Sequence, residues 1–114
     1  MTQIKTEQLA LEFAKALVNG EFELAYSLLA ESLKAEYSPA SLQQTYQNMI
    51  SYFLTPPDEV RVEAFMDDWQ SKQTSDIGWA YVSILSDGEA EAVTVIVCQE
   101  QEHYAIRSIE WFRP

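Results

Sequence analysis

Asn19-Gly20-Glu21-Phe22-Glu23-Leu24-Ala25-Tyr26-Ser27-Leu28-Leu29 reads as one helix stopping at a glycine and a second starting at once. Gly20 suits the left-handed residue just past a helix end, because it has no Cβ to clash there. Downstream, Phe22, Ala25, Tyr26, Leu29 and Leu33 recur at helical spacing and form one apolar stripe. Upstream, Leu9, Phe13, Ala16 and Leu17 form a matching stripe. Such a tight helical hairpin needs a third surface to cover its apolar faces, and the second half of the chain supplies it as a sheet.

Working outward, the first helix starts near Thr2 or Thr6, either of which can cap it, and ends at Asn19-Gly20. The second runs from about Glu21 to Glu36. Ser38-Pro39 then makes a strong helix start, with serine as N-cap and proline at the first helical position. This third helix, from Pro39 to Leu54, carries Leu42, Tyr46, Met49 and Phe53 on one face and stops before Thr55-Pro56-Pro57. Beyond the prolines the period changes to two: Val60, Val62, Ala64 and Met66 alternate with Arg61, Glu63, Phe65 and Asp67. A polar turn from Gln70 to Asp76 leads to a strand from Ile77 to Leu85. Asp87-Gly88 is a two-residue hairpin signal, since a type I′ turn needs positive φ at both positions. The return strand runs from Ala90 to Gln99, and a looser turn at Glu100-Gln101-Glu102 leads to a last strand, His103 to Phe112.

Counting across Asp87-Gly88 sets the register. Ile77, Trp79, Tyr81, Ser83 and Leu85 share a face with Cys98, Ile96, Thr94, Ala92 and Ala90. The other face carries Gly78, Ala80, Val82 and Ile84 beside Val97, Val95 and Val93. Both faces are apolar, whereas a sheet with one face to water alternates more sharply. Three helices cover one face. The other is expected to pair with a second copy, making a homodimer through the outer sheet face.

The 114 residues are expected to form a single domain, 1–114, burying roughly two-thirds of the unfolded surface. Hydrophobic residues at 47% and aromatics at 12% exclude disorder. No run of about 18 apolar residues marks a membrane span, and the opening Met1-Thr2-Gln3-Ile4-Lys5-Thr6-Glu7 lacks the apolar core of a secretion signal. The expected location is cytoplasmic. Eighteen acids against seven bases give a net charge of −11, a field that repels nucleic acid and anionic lipid. The acids are spread along the chain, which favours solubility over the alternative of a basic protein partner. The single Cys98 lies in an apolar strand pattern and reads as a small buried hydrophobe.

Three N-terminal helices followed by a strongly bent antiparallel sheet of about four strands resemble the nuclear transport factor 2-like superfamily, a cone-shaped, cystatin-like α+β fold that also includes ketosteroid isomerase-like and SnoaL-like proteins. The resemblance rests on Phe13, Ala16, Leu17, Asn19-Gly20-Glu21-Phe22, Ala25-Tyr26 and Leu28-Leu29. It implies a pocket between the helices and the concave sheet face, and frequent dimers through the outer face. It implies no single activity, since members include isomerases, dehydratases, transport adaptors and toxin-immunity proteins. Ketosteroid isomerases use an aspartate base with an oxyanion hole of a tyrosine and a protonated aspartic acid. In them the tyrosine lies seven residues before the glycine of the break, where this chain has Phe13, which has no hydroxyl. The segment that would carry the base is replaced by the longer third helix, without an aspartate. A dehydratase set of tyrosine, histidine and aspartate is not found either.

Asp67-Asp68 before Trp69 invites a metal or acid–base reading, but adjacent strand residues point to opposite faces. Of the two, Asp68 shares parity with Val62 and Met66 and is expected to point inward. His103, the only histidine, follows Glu100 and Glu102 at a turn edge and is a candidate general base. One histidine with scattered carboxylates makes no dedicated metal site. There is no Gly-x-Ser-x-Gly elbow and no phosphate-cradling loop among glycines 20, 78 and 88. The candidate ligand pocket is lined by Tyr26, Phe53, Trp69, Trp79, Tyr81 and Trp111, with Tyr46 a further aromatic of the helix–sheet interior. Arg107 has the parity to share a face with Trp111 and to anchor an anionic ligand inside the cone. The expected function is a dimeric binding domain without a cofactor. It would hold a small apolar ligand in the cone or a basic protein on its acidic surface, as an immunity-type protein would. The rival expectation is a small isomerase- or dehydratase-like enzyme using Asp68 or His103.

Overall fold

Gly20 sits at φ +75°, and the chain turns there as the glycine demands. Glu21 N–H donates to Ala16 O at 2.8 Å and Gly20 N–H to Leu17 O at 3.2 Å, a paired bond that closes the end of the first helix. The computed structural model describes residues 2–112 and contains helices α1 (Thr2–Val18), α2 (Phe22–Ser27), α3 (Glu31–Lys34) and α4 (Pro39–Met49). Strands β1 (Glu59–Met66), β2 (Asp76–Ser86), β3 (Glu89–Glu100) and β4 (His103–Trp111) follow. The fold is α+β, an antiparallel sheet in the order β1-β2-β3-β4 with the helices at the N-terminus. No helix among the described residues is long and apolar enough to cross a membrane.

The helices pack on one sheet face, called inner here. Leu9, Phe13, Ala16 and Leu17 of α1 are buried together with Ala80, Val82, Ile84, Val93, Val95, Val97 and Ile106. Phe13, Leu17, Leu42, Met49, Ile84 and Ile106 are among the largest fully buried side chains, each contributing about 1.5–3 kcal/mol by leaving water. Gly78 is required at the closest approach, since a Cβ there would collide with the Thr6 side chain and lie 2.8 Å from Phe65 Cε1. The hairpin register across Asp87-Gly88 is as expected from Ser86↔Glu89 to Gly78↔Val97, but the turn is not type I′, because Gly88 has positive φ (+83°) and Asp87 does not.

Four further features differ from the sequence reading. The helix expected over 21–36 is broken into α2 and α3. Ala30 N–H donates to Ile106 O at 2.7 Å and Ile106 N–H to Leu28 O at 2.9 Å. Residues 28–30 thus give up helical bonds to cover the edge of β4, which would otherwise be open. The capping box on α4 forms, with Ser38 Oγ accepting from Ser41 N–H and Ser41 Oγ accepting from Ser38 N–H. That helix ends at Met49 rather than Leu54, because Tyr52 leaves it to donate its hydroxyl to Ala90 O and Glu91 Oε2, each at 2.9 Å.

The third difference is a bulge in β1. Val62 pairs with Val82, but Ala64 pairs with Tyr81. Glu63 is therefore an extra residue, and every later side chain changes face. Phe65 turns inward, Met66 turns out, and the inward orientation expected for Asp68 is lost. The fourth is a pair of bulges at one end of the sheet: Asp76, not Ile77, pairs with Cys98, and Arg107 is left unpaired between Val97↔Ile106 and Ile96↔Ser108.

Candidate functional site

At the sheet end carrying the two bulges, the outer face holds an ion pair whose carboxylate is buried. Arg107, freed from strict alternation, does not join Trp111 on the inner face. It reaches over β3 and donates from Nε to Asp76 Oδ1 at 2.7 Å and from one terminal nitrogen to Oδ2 at 2.8 Å. Asp76 Oδ2 also accepts Gln73 N–H at 2.8 Å. Burial would raise the Asp76 carboxyl, but the hydrogen bonds from Arg107 and Gln73, with the charges of Arg107 and Lys72, together hold it below its ordinary value. Donating these hydrogen bonds to Asp76 raises Arg107 further.

Beside this pair lies a cleft of about 250 Å³. Its floor comes from alternate positions on three strands: Trp79 of β2, Thr94 and Ile96 of β3, and Ser108 and Glu110 of β4. The register explains the grouping, since Trp79 faces Ile96, Ile96 faces Ser108, and Thr94 faces Glu110. Its wall is the loop before β2, which supplies Trp69, Ser71 and Gln73. The loop is pinned at both ends: Lys72 Nζ donates to Asp67 O and lies 5.6 Å over the Trp69 ring, while Gln73 is tied to Asp76. Trp69 Nε1 is shielded from solvent and has no hydrogen-bond partner among the described residues.

Of the seven residues expected to line one pocket, Trp69, Trp79 and Arg107 converge here. Tyr81 lies next to them on the outer face, opposite Thr94. The other three lie elsewhere. Trp111 is inward, its ring 6.4 Å from both Phe13 and Tyr37, with Nε1 donating to Tyr37 Oη at 2.9 Å. Tyr26 directs its hydroxyl to Lys34 O, and Phe53 packs edge-on to Tyr52 at 5.0 Å. Tyr46 is buried against Phe22, and that burial pushes its hydroxyl up to about 12.

Asp68 is exposed after the bulge and does not line the cleft. His103 is exposed and lies 3.5 Å from Glu100 across the turn. No group of three or more metal-ligating side chains occurs among the described residues. Cys98 is buried, and that burial, with Glu100 and Asp76 nearby, raises its thiol.

Sequence reasoning missed Asp76, Thr94, Ile96, Ser108 and Glu110 as partners of Trp79 and Arg107. The hairpin register already placed Trp79, Thr94 and Ile96 on one face. Ser108 and Arg107 needed the β4 bulge, which no glycine or proline announces. No family model, no curated protein and no solved structure matches the chain.

Proposed function

We propose that this chain is a binding domain whose ligand site is the outer-face cleft rather than the helix–sheet interior. One observation carries the reading: Trp69, Trp79 and Arg107 converge on the cleft, whereas the interior is filled by fully buried side chains such as Phe13, Leu42, Met49 and Ile84. Ligand sites are concave, with aromatic walls and a few placed polar groups, and the cleft has this character. On this reading the fold is a nuclear transport factor 2-like cone whose interior serves as core, a likeness supported by the element order of helices and then a four-stranded meander. The rival reading of an isomerase- or dehydratase-like enzyme gains no support, because Asp68 and His103 lie outside the cleft.

A small-molecule screen read by thermal shift tests the proposal. Ligands whose effect disappears in Trp79→Ala and persists in Tyr26→Phe support the outer cleft. Ligands that bind equally well to Trp79→Ala would sink it.

The homodimer is a second reading, favoured by the half-buried Tyr81 and Leu85 and the exposed Met66 on the same outer face. A symmetric pair would then bury this face against its own copy.

A further inference from the structure

We infer that the outer-face cleft takes a neutral, polyhydroxylated ring, that is, a single saccharide unit or the end of a short glycan. The inference rests on the reading of that cleft as the ligand site and deepens it by excluding the other ligand classes. At about 250 Å³ the space is smaller than the roughly 300–1,000 Å³ of sites for drug-sized ligands, so the occupant is small.

An apolar occupant is a poor match. Beyond the two indoles and Ile96, the lining is hydroxyl, amide, guanidinium and carboxylate, and an apolar molecule would strip water from these groups without replacing it. An anion fares no better. The lining cation, Arg107, is already neutralised fork to fork by Asp76, Glu110 adds a negative charge, and the chain carries −11 overall. A cation would find Glu110 and two indoles, but the Lys72 ammonium already lies over the Trp69 ring, and the Arg107 guanidinium stands beside it.

What remains is a neutral molecule with an apolar face and a rim of groups that both donate and accept. A sugar ring has both. Its C–H face packs on an indole, and its hydroxyls meet a mixed set here: Glu110 accepts only, Arg107 donates only, and Ser71, Gln73, Thr94 and Ser108 do both. Arg107 has five N–H groups, of which Asp76 takes two.

The test uses the full chain and defined probes: glucose, galactose, mannose, N-acetylglucosamine, maltose and cellobiose, with choline, benzoate and indole as the cationic, anionic and apolar comparisons. Binding is read by indole fluorescence and by saturation-transfer NMR. The expected result is a Kd of ~1 mM, equivalent to about 4 kcal/mol, for at least one saccharide. It should weaken about tenfold or more in Trp79→Ala and in Glu110→Gln, and stay unchanged in Tyr26→Phe. Glu110 is exposed, so Glu110→Gln keeps the test sound if Trp79→Ala is poorly folded. Choline, benzoate or indole binding through Trp79, with no saccharide bound, would overturn the ligand class and leave the cleft standing. Saccharide binding indifferent to both cleft variants, or no binding by any probe, would overturn the cleft itself.

Discussion

The Arg107 guanidinium and the Asp76 carboxylate meet at 2.7 and 2.8 Å, with the carboxylate side chain shut off from solvent and the guanidinium a fifth exposed. Asp76→Asn keeps the shape and removes the charge, leaving Arg107 without its counterion. Breaking a buried pair in this way costs about 3–5 kcal/mol. The partial exposure of Arg107 puts the expected loss at the low end of that range, measured by urea unfolding at neutral pH. The pH dependence has a definite sign. Because the folded Asp76 pKa is depressed, the pair stabilises fully above the unfolded value of about 3.9 and is lost as pH falls through the depressed folded value. The gap between the two proteins should therefore be flat from about pH 5 to 8 and close below about pH 4. A gap unchanged at the lowest workable pH would show that the loss comes from packing and not from the charge pair. At Gly78 the relevant force is steric. An added methyl meets the Thr6 and Phe65 side chains, so Gly78→Ala must push α1 off the sheet or distort β2. The expected cost is about 1–3 kcal/mol, read from the same urea curves.

At the scale of elements, the signals that act within one turn were legible in the sequence. Gly20 ends α1, Ser38-Pro39 starts α4, and Asp87-Gly88 sets the β2–β3 register, each through contacts a few residues apart. The cap gives a clean measurement. Ser38→Ala removes the side-chain acceptor for Ser41 N–H at 3.1 Å and should lower stability by about 1 kcal/mol, a fall of several degrees in Tm. A Tm within error of the parent would mean that Pro39 and packing hold the helix start alone. What the sequence did not disclose depends on residues far apart in the chain. The break between α2 and α3 exists because residues 28–30 bond to Ile106, and nothing between 21 and 36 encodes that partner. Bulges are equally silent. The strand period tells which residues alternate, but one extra residue at Glu63, or at Arg107, exchanges the two faces beyond it. For this reason Trp79 could be grouped with Ile96 and Thr94 from the hairpin alone, while Arg107 and Asp68 were assigned to faces they do not occupy. The candidate site lies where local patterning ends, at the sheet end carrying two bulges.

For the molecule as a whole, the issue is which surface can meet a second copy. Edge pairing is disfavoured on both sides of the sheet. Residues 28–30 cover β4, and β1 carries Glu59, Arg61 and Glu63 with a bulge, features that discourage strand addition. The outer face remains, where Tyr81 and Leu85 are half-buried and Met66 is exposed. Association there brings together two chains that each carry −11, and the repulsion between them is set by ionic strength. The Debye length falls from about 30 Å at 0.01 M salt to about 8 Å at 0.15 M. The dimer fraction in sedimentation should therefore rise over that interval, and the Tyr81→Glu variant should remain monomeric throughout. A dimer formed through exposed ion pairs would respond to salt in the opposite direction. Tyr81 is two residues from Trp79 on the same strand face, so contact between copies and occupation of the cleft draw on adjoining surface. Linkage then requires that a ligand changing the dimer constant be bound with an affinity that the dimer changes by the same factor. Titrating a cleft ligand at two protein concentrations, one on each side of the dimer midpoint, measures that factor. A factor of one would mean that the two surfaces are independent, and a protein monomeric at every salt concentration would leave the outer face to the ligand alone.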